Sequence, residues 1–283
     1  MKQVKVRCPA KINLTLEVLG KRRDGFHEIQ SIMQTISLYD YLTIELNNEF
    51  DGIKIEGDSE QIPYNEKNIV YKAWQLYKET TNFCGGVSVY IEKNIPVCAG
   101  LAGGSTNAAG FLVGINYLCG NILNRKELHE LCAKLGSDLN FCLEGGCSIC
   151  TGRGENIEKL PSQQQKLVLI YPKNIAISAK EAYQKFSELP AFLKRNDNNT
   201  LKLKNKILNN EFDETLIFNS LENAVISNYT ALQIIKTQYP KAIMSGSGPV
   251  FFLLQKIEKL NLDESEFKIF QGLNFTNSGV TII

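Results

Sequence analysis

The residues best suited to chemistry form a segment of small side chains that runs from Pro96 to Thr106, with the sequence PVCAGLAGGST. Glycines let the backbone approach an anion closely and leave its amide groups unobstructed. An apolar segment that predicts a helix follows, and the dipole at a helix N-terminus favours a bound phosphate. Ser105 and Thr106 add hydroxyls for phosphate oxygens or Mg²⁺. The segment predicts a phosphate-binding loop, although a simple connecting turn would have a similar composition.

The loop matches neither of the two most familiar nucleotide-binding motifs. No Gly-Lys-Ser/Thr ends it, as in a Walker loop, and the G-x-G-x-x-G spacing of dinucleotide-binding folds is missing. It resembles instead the P-x-x-x-G-L-G-S-S-A-A motif of the GHMP kinases. The form GLAGGSTNAA is similar to GLGGGSSNAA of the 4-diphosphocytidyl-2-C-methyl-D-erythritol kinase branch, with Ala102 in place of a glycine and Thr106 in place of a serine.

Three further segments follow the order of the same family. PAKINL and LGKRRDGFHE, within residues 9–28, resemble the opening signature PAKINL…LGKRPDGYHE. LGSDLNFCL (135–143) is similar to the GSDVPFC segment, and MSGSGPVFF (244–252) resembles the third motif, MSGSGPTVF. The resemblance therefore covers nearly the whole chain.

Two charged residues in these segments are the candidates for catalysis. Phosphoryl transfer needs positioning, charge neutralisation and a group that orients or deprotonates the attacking hydroxyl. Asp138 is the candidate base and Lys11 the candidate cation beside it. Asn13 shares a strand face with Lys11, because side chains alternate along a strand, and is expected to bind the substrate. Without the resemblance, Asp138 would fit a turn and Lys11 a solvated strand face.

The resemblance implies that the loop containing Phe26 and His27 binds the cytosine of a cytidine diphosphate substrate. An aromatic ring offers a stacking face, and an imidazole can hydrogen-bond the edge of the base. Tyr183, in a segment that resembles VSTxxAY, is expected to provide the second stacking face. Packing within a helix would also explain this tyrosine.

The resemblance further implies an ATP site and no metal ligand set made by the protein itself. Mg²⁺ would come with ATP, held through Ser105 or Thr106. A zinc site at Cys142, Cys147 and Cys150 is disfavoured because their spacing is not that of paired CxxC motifs, and a buried strand pair is the simpler interpretation. The expected ATP-binding residues are Asn68, Lys93, Pro96, Gly100, Leu101, Ala102, Gly103, Gly104, Ser105 and Thr106.

Strands and helices occur in both halves without strict βαβ alternation, which indicates an α+β fold. The resemblance implies the two-lobed GHMP kinase fold. Its N-terminal ATP-binding lobe (1–155) would be similar to the ribosomal protein S5-like fold, and its C-terminal lobe (166–283) to a ferredoxin-like α/β sandwich. The polar segment 151–165 marks the boundary. The lysine- and asparagine-rich segment 194–214 is predicted to be a mobile surface excursion, followed by one helix over 220–237.

Composition and charge exclude several classes of protein. The 283 residues are 43% hydrophobic and 22% charged, which excludes global disorder. The net charge of +1 disfavours nucleic acid or an anionic membrane as the main partner. No segment approaches the ~18–20 apolar residues of a membrane span. Eight cysteines within apolar patterns indicate a reducing compartment, and the protein is expected in the cytoplasm.

The resemblance implies ATP-dependent phosphorylation of the 2-hydroxyl of 4-diphosphocytidyl-2-C-methyl-D-erythritol in the non-mevalonate isoprenoid pathway, and a monomer or weak homodimer is expected. One alternative is another GHMP kinase, of the homoserine or mevalonate type, but these lack the DGFHE loop. A second is a binding or regulatory protein of this fold, which the retention of Lys11 and Asp138 disfavours. A third, an RNA-associated protein, is disfavoured by the near-zero net charge.

Overall fold

The computed structural model describes residues 2–194, 197–254 and 260–283. Among these residues, strands and helices are mixed along the chain, so the α+β prediction is confirmed. None of the described helices is long and apolar enough to cross a membrane. The elements are β1 (Gln3–Lys21), β2 (His27–Asn47), β3 (Gly52–Gly57), α1 (Ile69–Thr81), β4 (Gly86–Glu92), α2 (Gly103–Leu118), α3 (Arg125–Leu135), α4 (Leu139–Glu144), β5 (Cys147–Gly152), β6 (Asn156–Leu160), β7 (Lys166–Pro172), α5 (Ala179–Glu188), α6 (Asn199–Leu208), β8 (Phe218–Asn219), α7 (Glu222–Val225), α8 (Thr230–Gln238), β9 (Ile243–Met244), β10 (Phe251–Leu253), β11 (Phe267–Asn274) and β12 (Thr281–Ile282).

The hairpin of β1 and β2 forms the centre of the first sheet. The two strands pair from Gln3 opposite Glu45 to Lys21 opposite His27, with three register shifts along the way. Such irregularities bend and twist a strand pair. The two parts of β2 consequently have different second neighbours: residues 41–47 pair with β4, and residues 29–34 pair with β5.

The strands form two sheets that follow the predicted lobes only in part. Strands β1–β6 belong to an eight-stranded sheet, and β7, β9, β10 and β11 form a four-stranded antiparallel sheet. Strands β8 and β12 come from the second half of the chain but pair with β1. The segment 151–165, predicted as a polar boundary, contains β6. The two halves therefore share the first sheet.

Helix α2 lies close against the first sheet and is buried along most of its length. Two glycines make the close approach possible. A Cβ on Gly110 would lie 2.4 Å from the Sγ of Cys8, and one on Gly114 would lie 2.5 Å from the Cδ1 of Ile44. Core residues of β1, β2 and β4 pack against α1, α2 and α3 in this layer. The sheet thus fixes the position of the α2 N-terminus.

The segment 194–214, predicted as a mobile excursion, is largely ordered, so that prediction is wrong for its described residues. It contains α6, whose Leu203 and Ile207 are fully buried in the core cluster between the two sheets. Leu203 and Ile207 are four positions apart, a spacing that places them on one face of a helix. The many lysines and asparagines around them made this apolar face difficult to recognise in the sequence. Residues 195 and 196 of the segment lie outside the described residues.

Other predictions of local structure had mixed outcomes. The sequence also predicts a helix over 125–135, capped by Asn124 and Glu127 and ended by a left-handed Gly136. The helix is confirmed with its capping box, in which Asn124 and Glu127 bond each other's backbone amides. Gly136 follows it in an extended conformation and not in the predicted left-handed one. The single helix over 220–237 is wrong, since a 3₁₀ turn at Ile226–Asn228 separates α7 from α8. Cys142 lies on α4, so it is not part of a strand pair.

Candidate active site

A cleft of about 1130 Å³ lies where the β1–β2 hairpin, the N-terminus of α2 and helix α5 meet. It is large enough for more than one small ligand, since typical ligand pockets are roughly 300–1,000 Å³. Leu101 and Thr106 are fully buried outside its lining. The other predicted site residues all line it: Lys11, Asn13, Phe26, His27, Asn68, Lys93, Pro96, Gly100, Ala102, Gly103, Gly104, Ser105, Asp138 and Tyr183.

The glycine-rich loop is held in place by backbone contacts on both sides. The amide of Lys11 donates to the carbonyl of Leu101 at 3.1 Å, which joins the loop to β1. The hydroxyl of Ser245 donates to the carbonyl of Gly100 at 3.0 Å. Gly100 has a φ of +75°, and a Cβ there would lie 2.0 Å from the carbonyl oxygen of Ser245. Only glycine satisfies both conditions, so the loop depends on the turn at 244–248.

Ala102 immediately precedes α2 in a left-handed conformation, with a φ of 57°. This is the position where the resembled motif has glycine. A residue with a Cβ costs about 1–2 kcal/mol in this conformation. Among the described residues no side chain caps the helix, so the first amides of α2 remain available to an anion at the cleft.

Lys11 and Asp138 lie together in the cleft. The Nζ of Lys11 is 3.8 Å from the Oδ2 of Asp138 and donates to the Oδ1 of Asn13 at 2.6 Å. The Lys11 side chain is only 4% exposed, whereas that of Asp138 is 32% exposed. The amide of Asn13 in turn donates to Ser31, whose hydroxyl donates to the carbonyl of Thr15. These bonds orient a buried ammonium towards a carboxylate that ligands can reach.

A second buried ion pair lies just before the loop, and sequence reasoning missed half of it. Asp40 is fully buried and pairs with the ammonium of Lys93. The other carboxylate oxygen accepts from the amides of Asn94 and Ile95, at 2.7 and 2.8 Å. A buried carboxylate requires such partners. The signal in the sequence was an acidic residue within the apolar strand segment LYDYL (38–42) of β2, and its partner is Lys93.

Asn68 has a structural position at the edge of the cleft. Its Oδ1 accepts from the amide of Val70 at 3.0 Å, and its Nδ2 donates to the carbonyl of Pro63 at 2.7 Å. The residue therefore caps helix α1. Its predicted contact with the nucleotide stays a prediction.

The aromatic residues form two separate pairs at the other end of the cleft. The rings of His27 and Tyr183 are stacked, with centroids 5.0 Å apart and an angle of 21°. Phe26 is half exposed, and the guanidinium of Arg153 lies 4.9 Å from its ring centroid. Arg153 was not predicted from the sequence. The rings are thus gathered in one place, but His27 covers a face of Tyr183 that an open clamp would leave free.

Burial and neighbouring charges set the ionisation of two of these rings. Partial burial lowers the pKa of His27, and the positive charges of Lys21 and Lys194 lower it further. Burial raises the pKa of the Tyr183 phenol, with a further contribution from Asp138. Near pH 7, His27 is therefore a neutral imidazole with one acceptor nitrogen.

Cys142, Cys147 and Cys150 are buried core residues. Burial raises the pKa of Cys147 to about 12, and it raises the pKa of Cys142 and Cys150 as well. Such buried thiols are unreactive. Across the described part of the chain, no group of three histidine, cysteine or acidic residues is arranged to hold a metal ion.

Two residues that depart from the resembled family pattern are buried inside the protein. Asn140 replaces a proline, and its Nδ2 donates to the carbonyl of Glu155 at 3.2 Å, which ties α4 to the turn before β6. Ser220 lies in NSLE (219–222), where the resembled family has NDLE with an aspartate. It is buried, and its backbone amide donates to the carbonyl of Leu16 at 2.8 Å. Asp138 precedes α4 directly. The bond from Asn140 therefore supports the candidate base.

Comparison with known proteins agrees with this geometry. Residues 68–146 match the GHMP kinases N terminal domain, which includes the glycine-rich loop and Asp138. The 4-diphosphocytidyl-2-C-methyl-D-erythritol kinase of Clostridioides difficile (strain 630) is 40% identical over 99% of this chain and 97% of its own length. Those of Enterococcus faecalis (strain ATCC 700802 / V583) and Prochlorococcus marinus (strain MIT 9312) are 41% and 36% identical, over 88% and 99% of this chain and 88% and 98% of their own lengths.

Solved structures extend the comparison to the fold. A crystal structure of 4-(cytidine 5'-diphospho)-2C-methyl-D-erythritol kinase matches with a TM-score of 0.78 and 27% identity, over 96% of this chain and 99% of that one. Homoserine kinase from Cytophaga hutchinsonii matches with a TM-score of 0.77 but 19% identity, over 100% and 98% of the two chains, which shows a shared fold alone. The predicted two-lobed GHMP kinase fold is confirmed. With identities of 36–41% over 88–99% of its length, the chain belongs to the 4-diphosphocytidyl-2-C-methyl-D-erythritol kinase family.

Proposed function

We propose that the protein transfers the γ-phosphoryl group of ATP to the 2-hydroxyl of 4-diphosphocytidyl-2-C-methyl-D-erythritol, a step of the non-mevalonate isoprenoid pathway. The observation that carries this proposal is the pair of Lys11 and Asp138, in a cleft that has a glycine-rich loop at one end and aromatic rings at the other. The names of the full-length relatives support the choice of substrate.

The loop at 100–106 is the proposed site of the ATP phosphates. The free amides of the first turn of α2 point along the helix dipole, which favours a polyanion. Ser105 lines the cleft and is the better placed of the two hydroxyls to reach a phosphate oxygen or a metal ion, because the hydroxyl of Thr106 is buried outside the lining. Mg²⁺ bound with ATP would neutralise the charge on the phosphates, and Ser105 is the residue that would hold it.

Asp138 and Lys11 are proposed to activate the attacking hydroxyl. A hydroxyl bound between them donates its proton to the carboxylate of Asp138, while the ammonium of Lys11 stabilises the developing negative charge on the oxygen. As the oxygen bonds to the γ-phosphorus, the bond from phosphorus to the β–γ bridging oxygen breaks and the proton stays on Asp138. Asn13 holds the ammonium in place and is proposed to contact the substrate.

The aromatic end is proposed to bind the cytosine ring. Phe26 and Tyr183 offer stacking faces, and the imidazole of His27 offers a hydrogen bond to the base edge. Because His27 covers one face of Tyr183, the base is expected to use the other faces of the rings. The part of the cleft between the aromatic residues and Asp138 would then hold the diphosphate.

A substrate panel tests the proposal. The protein is incubated with ATP, Mg²⁺ and one of four alcohols: the cytidine diphosphate alcohol, mevalonate, homoserine or galactose. Release of ADP is expected with the first alone. Phosphorylation of homoserine or mevalonate, with the cytidine compound left unchanged, would overturn the substrate assignment but leave the kinase assignment intact.

Two substitutions test the proposed chemistry. Asp138→Asn is expected to lower kcat by at least ~10²-fold, the scale of a lost general base, with little change in ATP affinity. Asp51→Asn is the control, because Asp51 is exposed and pairs with Lys78 outside the cleft. Lys11→Ala is expected to behave like Asp138→Asn. An effect of Lys11→Ala on the KM for ATP alone would make this lysine a phosphate ligand.

We further propose that the protein works in the cytoplasm as a monomer or weak homodimer. All eight cysteines are free thiols, and five of them are buried, as expected in a reducing compartment. Size-exclusion chromatography with light scattering measures the oligomeric state, and a stable higher oligomer would contradict the proposal.

A further inference from the structure

We propose that Ser187 is a positioning residue that fixes the tautomer of His27, so that the cleft accepts cytosine and rejects uracil. This inference rests on the proposed function, because it concerns how the nucleobase of that substrate is recognised.

The direction of each hydrogen bond follows from the groups involved. The hydroxyl of Ser187 lies 2.9 Å from the carbonyl oxygen of Tyr183, one turn earlier on α5. A carbonyl can only accept, so the hydroxyl proton points towards Tyr183. The Nε2 of His27 lies 3.0 Å from the same hydroxyl oxygen. Since that oxygen has already donated its proton, Nε2 must be the donor and carry the ring hydrogen.

The position of the imidazole is fixed by more than this bond. Its ring is stacked on Tyr183, with centroids 5.0 Å apart, so ring and serine are held by the same helix. Lys194 donates to the carbonyl of Ser187 at 3.0 Å, which places a positive charge beside the pair. Together with partial burial and Lys21, this charge lowers the pKa of His27. Near pH 7 the ring is neutral and has one proton.

A neutral ring that is protonated at Nε2 leaves Nδ1 as a hydrogen-bond acceptor. None of the described residues forms a hydrogen bond to Nδ1, and His27 lines the cleft. Cytosine has an amino group at position 4, which donates, whereas uracil has a carbonyl there, which accepts. An acceptor nitrogen therefore attracts cytosine and repels uracil. A site built to pair with one hydrogen-bonding group discriminates well against an analogue that lacks it.

Nitrogen NMR tests the tautomer directly and without turnover. The chain contains only His27 and His129, so two sets of ring ¹⁵N signals are expected and His27→Gln assigns them. Near pH 7, the wild-type His27 is expected to show a protonated Nε2 and an unprotonated Nδ1. Ser187→Ala is expected to give a mixture of the two tautomers. A wild-type His27 with its proton on Nδ1 would overturn the inference.

Selectivity for the base is the functional test. The ratio of kcat/KM for the cytidine and uridine diphosphate alcohols is expected to fall about 2- to 10-fold in Ser187→Ala, the range for one hydrogen bond. Ser187→Thr keeps the hydroxyl and is expected to restore the ratio. An unchanged ratio in a folded Ser187→Ala protein would overturn the inference. A wild-type protein that phosphorylates neither compound would refute the proposed function instead, and the NMR result would still decide the tautomer.

Discussion

The two ends of the cleft are built in different ways. At the end proposed to bind phosphate, which is called the phosphate end (residues 100–106), the loop is held by backbone hydrogen bonds and by a carbonyl packed against Gly100. At the aromatic end, Phe26 is 51% exposed, and its neighbour His27 is held by the side chains of Tyr183 and Ser187. Phosphates present the same charge in every nucleotide, so a fixed backbone suits them. A base is distinguished by its edge, and side chains can be exchanged to match it without disturbing the fold.

The largest difference is expected between two glycines with positive φ, one at each end. Gly100→Ala is expected to cost about 2–5 kcal/mol of unfolding free energy, from about 1–2 for the left-handed conformation and 1–3 for the clash with Ser245. Gly25→Ala adds a methyl group at a φ of +87° with nothing within 4 Å, so only the first cost applies. Urea denaturation of both variants measures the difference. Equal losses would show that the loop at Gly100 adapts and that the phosphate end is not rigid.

The next effect concerns binding at the aromatic end. Tyr183→Ala is expected to weaken binding of the cytidine substrate by about 1–3 kcal/mol, which is roughly 5- to 150-fold. ATP affinity should stay the same, because its proposed site is the loop at 100–106. Calorimetric titration of each ligand checks both statements.

Tyr229→Ala is the matched control for that variant. Both tyrosines are partly buried against the same core cluster, but Tyr229 lies outside the cleft and bonds Glu181. Its loss should lower the melting temperature without changing substrate affinity. If Tyr183→Ala lowers only the melting temperature as well, Tyr183 is a core residue and the stacking role is wrong.

The smallest effect is expected at Ala102. Ala102→Gly removes a Cβ from a left-handed position and is expected to raise the unfolding free energy by up to ~1 kcal/mol, after the greater freedom of glycine in the unfolded chain is subtracted. Ala133→Gly, within helix α3, should instead lower it by about 1 kcal/mol. A loss at both positions would mean that Ala102 is not strained.

The glycine-rich loop before α2 could be predicted from the sequence because its signals are local. Glycine spacing, the following helix and the ordered motifs are all contained in short segments, and the structure places Lys11 beside Asp138 as the resemblance implied. The capping box at Asn124 is equally local and was found for the same reason. Backbone rules of this kind depend on neighbours in sequence, so they can be used without a structure.

What the sequence did not predict depends on contacts between distant segments. Asp40 contacts Lys93, and Arg153 contacts Phe26, although the partners in each pair are more than 50 residues apart in the sequence. Helix α6 is polar on most of its surface, and burial of Leu203 and Ile207 between two sheets outweighs its composition. The positive φ of Ala102 could not be deduced from the residue type, because alanine rarely adopts this conformation.

The pairing of β1 has a consequence for the order of folding. This strand, which contains Lys11 and Asn13, is flanked by residues from far along the chain: Val6 pairs with Ile282, and Thr15 pairs with Phe218. Contacts between such distant residues require closure of very long loops, and they form slowly. The strand that holds the candidate lysine is thus among the last parts to gain all its neighbours. During synthesis on the ribosome, a nascent chain that has already emerged as far as α6 would still lack a complete candidate active site.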